Sequence, residues 1–354
     1  MMKYTALGLM SGSSLDGLDI AYCEFYYEKD EWNFEIVDAQ TFSYNEEWSI
    51  KLRELPNSTP KEIEKADIEY GELTADFVNQ FLSQKKYKPD LIASHGHTIL
   101  HEPAKGFTLQ IGNGQIIANE TGIKTINDFR TKDVLLGGQG APLVPIGDKL
   151  LFSNYDFCLN IGGIANISFE ENGERIAFDI CGANQILNYL SLQVGKTFDE
   201  NGNIAILGKM NTELFNLLNS DSYFDQRPPK SLSNQYVTNK FIDATNKIEC
   251  PVQDKLYTTV KHIAFQTNKA IENQNKGSLL LSGGGTHNSF MVTALRRETK
   301  HDIIVPDPMI IDFKEALIFA FMGILRVQNK INCLSSVTGA TSDCSGGQIF
   351  LPSP

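Results

Sequence analysis

Short apolar runs and segments of helical spacing alternate along the first half of the chain. Two apolar runs, residues 4–10 and 18–25, flank a turn of small residues, which is the pattern of a β-hairpin. Residues 46–84 have helical spacing that Pro56 and Pro60 interrupt. Strands are also predicted at residues 91–94, 107–111 and 123–128, and a helix at residues 113–121, which Gly122 ends.

The second half of the chain restarts this plan. Strand patterns separated by small-residue turns come first, alternating helices and strands follow, and a long apolar helix comes last. The predicted strands are residues 157–161, 167–170, 175–180, 278–281 and 302–305, and the predicted helices are residues 184–194, 289–297 and 312–327. We therefore predict an α/β protein with two similar lobes and a cleft between them, lobe I from residues 1–135 and 312–354 and lobe II from residues 136–311.

Length and charge narrow the expected partners. The 354 residues suit two lobes of about 150 to 200 residues each. A net charge of −12 disfavours nucleic acid and anionic membranes as partners, although a nest of backbone amides can still hold phosphate. No apolar run is long enough for a membrane span, no targeting segment is visible, and the six cysteines are scattered, which together favours a reduced cytoplasm. We expect a small-molecule substrate. The sequence does not decide whether the protein forms a homodimer.

The tip of the first predicted hairpin has the residue types of a phosphate-binding turn. Glycine lets the backbone approach a ligand closely, and serine hydroxyls and exposed amides donate to phosphate. Asp16 and Asp19 could hold Mg²⁺, mainly through water. A plain hairpin turn would explain the same residues. The candidate nucleotide-binding residues are Gly12, Ser13, Ser14, Leu15, Asp16, Gly17 and Asp19.

Two further glycine-rich turns offer similar chemistry in the second half. One lies between the first two strands of that half and supplies Asn160, Gly162 and Gly163 as candidates. The other, with Gly283, Gly284 and Gly285, follows an apolar strand and precedes a helix, where amides favour an anion or a flat ring. It matches neither the G-x-G-x-x-G nor the P-loop pattern. Either turn could also exist without a ligand.

Two acidic residues stand at positions suited to catalysis or substrate binding. Asp179 lies near the end of an apolar strand and just before a helix, so it could be a general base or could cap that helix. Glu315 lies near the start of the helix predicted at residues 312–327, where a negative charge is favourable in any case.

Polar side chains around residues 95–101 and 130 are candidates for a sugar site. Three histidines fall within residues 95–101, but alternate strand positions face opposite sides and no carboxylate cluster is nearby, which disfavours a metal site. His97 and Thr98 could line a sugar site instead, or the histidines could be satisfied loop residues. Arg130 could bind a substrate carboxylate through two hydrogen bonds, or it could pair with Asp128 or Asp133.

The order of these motifs resembles one known family. From about Gly8 to Gly323 the chain is similar to the anhydro-N-acetylmuramic acid kinases. The resemblance rests on the ordered segments MSGSSLDGLD, SHGHTILH, LQIGNGQ, GGQGAPLVP, NIGGIANIS, FDENG, PPKS and SGGGTHN. It implies the actin-like ATPase (ribonuclease H-like) fold and a kinase of peptidoglycan recycling. The implied reaction converts 1,6-anhydro-N-acetylmuramic acid, ATP and water to N-acetylmuramic acid 6-phosphate and ADP.

The resemblance also implies roles for individual residues. The turn at residues 12–19 would contact the ATP phosphates with Mg²⁺, and the turn at residues 283–285 would lie near the adenosine. Glu315 and Arg130 would lie at the sugar site. Asp179 would activate a water that attacks C1 of the sugar, and O6, released from C1, would take the γ-phosphoryl group.

The chain departs from the family's pattern in three motifs, and it is short around residues 261–276. It has SGSS for the usual SGTS, FDICGAN at residues 178–184 for FDTGPGN, and PPKSLSNQ at residues 228–235 for PPKSTGRE. The last two changes leave open the alternative that this chain is a relative of the family with weakened catalytic activity. Two other functions fit part of the pattern. One is an ATP-driven conformational switch that acts on another protein, and the other is a hexose kinase in which Asp179 deprotonates a sugar hydroxyl directly.

Overall fold

The computed structural model describes residues 1–12, 15–83 and 85–354. These residues form two compact units. Unit 1 consists of Met1–Phe152 and Phe313–Pro354, and unit 2 is Ser153–Asp312. Each unit has its own mixed β-sheet, and its helices are packed with that sheet around a hydrophobic core.

The strands of unit 1 build a main sheet and a smaller second sheet. They are β1 (Met2–Met10), β2 (Gly17–Glu28), β3 (Glu31–Ser43), β4 (Leu91–Ser94), β5 (His97–Glu102), β6 (Phe107–Ile111), β7 (Thr125–Asn127) and the last strand of the chain, β13 (Gln348–Phe350). Over the described ranges the main sheet has the order β13-β7-β4-β1-β2-β3, and β5 pairs with β6. Strands β1, β2 and β3 are antiparallel neighbours, whereas β4 and β7 run parallel to β1.

The helices of unit 1 follow local signals in the sequence. They are α1 (Glu46–Glu54), α2 (Pro60–Leu82), α3 (Gly114–Thr121), α4 (Thr131–Leu135), α5 (Pro145–Leu151), α12 (Pro308–Val327, in unit 1 from Phe313 on) and α13 (Ser335–Thr338), with 3₁₀ turns at Leu55–Asn57 and Pro103–Lys105. Thr59 and Glu62 form a capping box at the start of α2. Gly122 ends α3 with a φ of 69°, a left-handed conformation that suits glycine.

Unit 2 has one sheet and a longer series of helices. Its strands are β8 (Phe157–Ile161), β9 (Ile164–Glu171), β10 (Glu174–Gly182), β11 (Ser278–Ser282) and β12 (Asp302–Ile304). Its helices are α6 (Asn184–Leu192), α7 (Thr212–Asn219), α8 (Asn234–Val237), a π-helical turn (Thr238–Ile242), α9 (Asp243–Lys247), α10 (Val252–Ile271) and α11 (Ser289–Glu298). Short 3₁₀ turns occur at Glu200–Gly202, Ala205–Leu207, Ser222–Asp225 and Gly284–His287.

The two units repeat one strand topology. In unit 2 the sheet order is β10-β9-β8-β11-β12, with β8, β9 and β10 antiparallel and β11 and β12 parallel to β8. In unit 1 the corresponding strands are β3-β2-β1-β4-β7, with the same pattern of directions, and β13 is added at the edge. Both units therefore place three consecutive antiparallel strands beside two parallel ones. The predicted α/β class with two similar halves is confirmed.

Close packing of β1 against α12 depends on Gly8. A Cβ atom at Gly8 would lie 1.8 Å from the carbonyl oxygen of Ala316. The side chains of Leu7 and Leu9 are buried on either side of this glycine, in line with the alternation of a strand that is covered on both faces. This packing fixes the end of β1, from which the glycine-rich turn follows.

Several elements differ from the pattern that the sequence predicts. Strand β3 and helix α10 were not predicted, and α12 begins four residues before residue 312. The first segment of unit 1 extends to Phe152, whereas the first segment of lobe I was predicted to end at residue 135. The reason is that α5 belongs to unit 1: Phe152 lies 5.1 Å from Phe34 between ring centroids, and the buried Asp148 pairs with Lys314 at 2.6 Å.

Candidate active site

The turn between β1 and β2 is held by the neighbouring strand. Met10 pairs with Asp19 across the two strands, so Gly12, Leu15 and Asp16 lie between the paired residues. A Cβ atom at Gly17 would lie 2.3 Å from the carbonyl oxygen of Phe42, so this glycine allows close contact with β3. Gly12 accepts a backbone hydrogen bond of 3.5 Å from Leu15, whose φ is 60°. The predicted Ser13 and Ser14 lie outside the described residues.

The two candidate magnesium ligands differ in their surroundings. Asp16 is exposed at the turn, and its carbonyl oxygen accepts a hydrogen bond from the Tyr44 amide at 3.3 Å. Asp19 lies at the start of β2, where its Oδ1 accepts from Thr41 Oγ1 at 2.6 Å. Among the described residues, no cluster of three or more His, Cys, Asp or Glu side chains could hold a metal ion by itself. Mg²⁺ usually keeps several of its waters and is held by one or two carboxylates together with substrate phosphates, so these two carboxylates are of the right chemical type for it.

A chain of buried hydroxyls lies beside this turn. The Tyr44 hydroxyl donates to Ser11 Oγ at 2.8 Å, and it lies 2.5 Å from the Tyr70 hydroxyl. Ser11 Oγ is also 2.8 Å from Nδ1 of His97. Burial lowers the pKa of His97 to about 4, so its imidazole is neutral at physiological pH. His97 is thus tied to the residue before Gly12, whereas Thr98 is exposed on β5.

Arg130 is held by a histidine and a backbone carbonyl. Its Nε and Nη2 lie 3.2 and 2.7 Å from Nε2 of His95, and its Nη1 donates to the carbonyl oxygen of Gly140 at 2.6 Å. The alternative pairing with Asp128 or Asp133 is wrong for the described residues. Asp133 accepts instead from the Gly140 amide and the Thr338 hydroxyl, and Asp128 accepts from Gln348.

Glu315 lies close enough to Arg130 to influence it. Burial lowers the pKa of Arg130 to about 10, and the negative charge of Glu315 is among the effects that oppose this shift. Because α12 begins at Pro308, Glu315 lies about two turns inside the helix. The helix N-terminus is therefore too far away to stabilise the charge of Glu315. The alternative that Glu315 is there because a helix start favours a negative charge is wrong.

Asp179 is held in an irregular part of β10. The pairing of β10 with β9 shifts register between Asp179 and Cys181, which is a β-bulge. The Leu232 amide donates to Asp179 Oδ2 at 2.8 Å, and the Tyr223 hydroxyl donates to the Asp179 carbonyl oxygen at 2.6 Å. Helix α6 has Ala183 at its N-cap with no side-chain cap, so the alternative that Asp179 caps this helix is wrong.

Burial changes the ionisation of the Asp179 carboxyl group. Burial raises its pKa to about 6, and the Leu232 amide partly opposes the shift. Within the described ranges, Oδ1 of this carboxyl group has no hydrogen-bond partner. One oxygen is therefore fixed while the other can accept a proton from water, and the group is ionised at neutral pH.

The turn between β8 and β9 is anchored to the start of α6. The carbonyl oxygens of Gly162 and Gly163 accept from the amides of Asn184 and Ala183 at 3.0 and 2.8 Å. Asn184 Nδ2 also donates to the Ile161 carbonyl oxygen at 3.1 Å. Among the residues that the structure describes, a Cβ atom at Gly162 would meet no atom nearer than 3.5 Å. Packing against the described residues does not require a glycine here, and this face of Gly162 is open.

The glycine loop after β11 meets the same turn. Gly283 has a φ of 79°, and its added Cβ would lie 2.3 Å from Asn160 Oδ1. The added Cβ of Gly285 would lie 2.3 Å from Cγ2 of Ile161. At Gly284 the nearest atom of the described residues would be 3.9 Å away, and this residue is exposed. The structure therefore brings together all the predicted nucleotide-binding residues of unit 2, with Gly283 and Gly285 needed for packing and Gly284 open.

Some residues that hold the site were not identified by the sequence analysis. Leu232 and Tyr223 position Asp179 through a backbone amide and a hydroxyl. Lys230 donates to the Tyr223 carbonyl oxygen at 3.1 Å and lies 4.5 Å above the Tyr223 ring. The segment PPKS at residues 228–231 was the only sign in the sequence that this region matters, and its residue types do not indicate that it lies against Asp179 and Tyr223. In the sequence, His95 is distinguished only as one of three neighbouring histidines.

The helices of the described ranges include none with the length and hydropathy needed to cross a membrane. The cysteines of these ranges are all free thiols.

Comparison with known proteins gives a consistent result over the whole chain. The model of the family described as anhydro-N-acetylmuramic acid kinase matches residues 4–352. An anhydro-N-acetylmuramic acid kinase of Mannheimia succiniciproducens is 35% identical, covering 99% of this chain and all of its own (100%). One of Haemophilus influenzae is 33% identical, covering 97% of each chain.

A solved structure is more distantly similar. The (R)-2-hydroxyglutaryl-CoA dehydratase component A of Acidaminococcus fermentans is 13% identical, with a TM-score of 0.47, over 90% of this chain and 96% of that chain.

Proposed function

The chain belongs to the anhydro-N-acetylmuramic acid kinase family, and we propose that it uses ATP and water to convert 1,6-anhydro-N-acetylmuramic acid to N-acetylmuramic acid 6-phosphate and ADP. The observation that carries this proposal is the family match over residues 4–352. The reaction would serve peptidoglycan recycling, and the free cysteines are in keeping with the reduced cytoplasm in which we place it.

Asp179 is the proposed general base. The sugar has an internal bond between C1 and O6, so it offers no free 6-hydroxyl to ATP. Asp179 takes a proton from a water whose oxygen forms a bond to C1, and the bond from C1 to O6 breaks. The released O6 takes the γ-phosphoryl group, and ADP leaves. A half-buried carboxylate with one oxygen held by the Leu232 amide suits the first of these steps.

ATP binding is assigned to the glycine-rich turns. The turn at residues 12–19 would contact the phosphates through its amides and through the hydroxyls of Ser13 and Ser14. Gly162, Gly163 and Gly284 have open faces for the rest of the nucleotide. Asp16 and Asp19 would hold Mg²⁺ through water, and the ion would neutralise phosphate charge when bound.

Sugar binding is assigned to Arg130, Glu315, His97 and Thr98. N-Acetylmuramic acid has a lactyl carboxylate, and a guanidinium is the side chain best suited to bind it with two parallel hydrogen bonds. Glu315 lies near Arg130 and can accept from sugar hydroxyls. The neutral, buried His97 contacts Ser11 and so orders the residue that precedes the turn. Thr98 is exposed and can contact a bound sugar.

The pH dependence of the reaction should follow Asp179. Its pKa is raised to about 6, and the base works only when it is ionised. We expect kcat/KM for the sugar to rise tenfold per pH unit below about pH 6 and to level off above it. Steady-state rates from pH 4.5 to 8.5 measure this profile. A profile that is flat across pH 5 to 7 would contradict the assignment of the base.

Substitution of Gly283 should weaken ATP binding. In Gly283→Ala the new Cβ would lie 2.3 Å from Asn160 Oδ1, so the Asn160 side chain has to move. We expect the KM for ATP to rise by about tenfold or more, with little change in the KM for the sugar.

Gly173→Ala is the matched control for this experiment. Gly173 lies at the β9–β10 hairpin with a φ of 83°, and no atom of the described part of the chain lies within 4 Å of an added Cβ. Gly173→Ala therefore imposes a similar backbone strain without a clash. An equal rise in the KM for ATP in both variants would show that the effect is not local to the glycine loop.

The proposed function is tested by ADP release in ¹⁸O-labelled water with Mg-ATP, with and without 1,6-anhydro-N-acetylmuramic acid. Sugar-dependent ADP and one ¹⁸O atom at C1 of a 6-phosphosugar are expected. Label at C1 counts as evidence for attack by water only where it exceeds the label that N-acetylmuramic acid 6-phosphate takes up by spontaneous exchange in the same labelled water. ATP binding without sugar-dependent turnover would overturn the proposal and favour the switch function.

A further inference from the structure

The hydrogen-bond partners of His95 determine which of its ring nitrogens carries the proton. Nδ1 lies 2.9 Å from the carbonyl oxygen of Gly96, which can only accept, so Nδ1 is the donor. Nε2 then has a free lone pair, and it accepts from Nε and Nη2 of Arg130. His95 is thus a neutral imidazole that acts as an acceptor along one edge of a guanidinium.

The position of the His95 ring is fixed by its surroundings. The side chain is buried, the ring centroid lies 4.8 Å from that of Phe319, and the His95 amide donates to the Leu9 carbonyl oxygen at 2.9 Å. Gly96 has a φ of 71°, and an added Cβ there would lie 2.5 Å from the Ile111 carbonyl oxygen. Burial and the charge of Arg130 lower the pKa of His95, so the ring stays neutral.

These contacts leave part of the Arg130 guanidinium unused. A guanidinium has five N–H donors, of which His95 takes two and the Gly140 carbonyl takes one. One N–H remains on each terminal nitrogen, and no ion pair of Arg130 occurs among the described residues. Two N–H groups on adjacent terminal nitrogens match the two oxygens of a carboxylate.

We propose that His95 is a positioning residue that turns this free edge of Arg130 toward the carboxylate of the sugar substrate. The inference rests on the proposed function, and it makes the neutral histidine, through Arg130, a determinant of selectivity for sugars that carry a carboxylate. His95 itself does not touch the substrate. A cationic residue at this position would repel Arg130, and an apolar residue would leave two guanidinium donors without a partner.

Removal of the acceptor should affect the sugar and not the nucleotide. In His95→Ala we expect the KM for the sugar to rise by roughly 10-fold to 100-fold, because a displacement of about 1 Å in a positioning group has effects of this size. The KM for ATP and kcat at saturating sugar should be unchanged. In an Arg130→Ala background, the second substitution His95→Ala should add no further rise, since the two residues act as one unit.

Conservative variants separate positioning from general packing. In His95→Gln the amide oxygen reaches the place of Nε2 and can accept from Arg130, so the KM for the sugar should return most of the way to that of the unchanged protein. In His95→Asn the side chain is one bond shorter, so the rise should persist. His301→Gln is the control, because His301 is also buried with two backbone partners but precedes β12, at the opposite end of the sheet from the glycine loops. It should leave the KM for the sugar unchanged.

A second measurement does not depend on turnover. In the full-length deuterated protein, ¹⁵N NMR should show a protonated Nδ1 and a bare Nε2 at His95, with scalar coupling across the hydrogen bond to Arg130 Nε. An unchanged sugar KM in an active, folded His95→Asn variant, or a protonated Nε2, would overturn the inference. Lack of sugar-dependent turnover in the unchanged protein would overturn the proposed function instead, while the NMR result would still decide whether His95 holds Arg130.

Discussion

Asp179→Asn is expected to lower kcat by about 10²-fold or more while the protein remains folded. The amide cannot take a proton from water, so the attack on C1 loses its base. Its oxygen can still accept from the Leu232 amide, and the Tyr223 hydroxyl still donates to the backbone carbonyl. The measurement is the single-turnover rate at saturating ATP and sugar. Near-normal turnover would remove Asp179 from the role of base.

The same substitution should make the protein more stable at neutral pH. The pKa of Asp179 is raised from 3.8 to about 6, so the folded state disfavours the carboxylate relative to the unfolded state. This penalty is absent below pH 3.8, grows as pH rises to 6, and is complete above it. It amounts to at most about 3 kcal/mol at 1.4 kcal/mol per pKa unit, and solvent at the half-buried side chain reduces it.

Urea unfolding of both proteins between pH 4 and 8 measures this difference. The free energies of unfolding should converge near pH 4 and separate above pH 6, with the Asp179→Asn variant the more stable. Asp156→Asn is the matched control with the opposite sign. Asp156 accepts from the Ser278 amide and hydroxyl, contacts that lower its pKa, and it precedes β8, at the far end of the sheet from the glycine loops. That variant should lose stability at neutral pH and keep its kcat.

The sequence predicted the turns of this site because a glycine-rich turn depends on a few consecutive residues and not on distant contacts. The turns at residues 12–19, 160–166 and 283–285 follow strands whose apolar runs are evident in the sequence. The strand order of each unit follows from consecutive hairpins and parallel crossovers, which obey general connection rules. The residue types at the turns then indicated a phosphate ligand.

Contacts between distant residues could not be predicted in this way. The Leu232 amide is 53 residues from Asp179, and Nε2 of His95 is 35 residues from Arg130. A backbone amide has no sequence signature of its own, and the tautomer of a histidine depends on a carbonyl that the fold supplies. Such groups decide the pKa and the direction of the functional side chains, so the sequence indicated the residues and not their geometry.

The two longest elements that the sequence did not predict, β3 and α10, have different physical reasons for their weak signals. Strand β3 lies at the edge of its sheet and buries few side chains, so its apolar signal is weak. Helix α10 is largely buried but carries threonines on its buried faces. Thr258 and Thr259 satisfy their hydroxyls on the helix's own carbonyl oxygens four residues earlier, so polar residues interrupt the apolar stripe that would predict the helix.

Arg130→Ala is expected to raise the KM for the sugar by roughly 10-fold to 100-fold and to leave the KM for ATP unchanged. A hydrogen bond to a charged group contributes about 1.5–3 kcal/mol, and the variant loses the free edge of the guanidinium that would bind the carboxylate. Steady-state kinetics with each substrate varied in turn measures the two constants. Equal rises in both would remove Arg130 from the sugar site.

Arg130→Lys is the matched variant because it keeps the charge and loses the planar pair of donors. Lysine can donate to His95 Nε2 or to the Gly140 carbonyl oxygen, but its single ammonium cannot also present two parallel donors to a carboxylate. We expect its sugar KM to lie between those of the unchanged protein and Arg130→Ala. A sugar that lacks the carboxylate should bind the unchanged protein and both variants equally, because the hydrogen bonds that the variants lose are those to the carboxylate. Loss of binding of that sugar in Arg130→Ala would mean that the arginine shapes the site in general and does not select the acid.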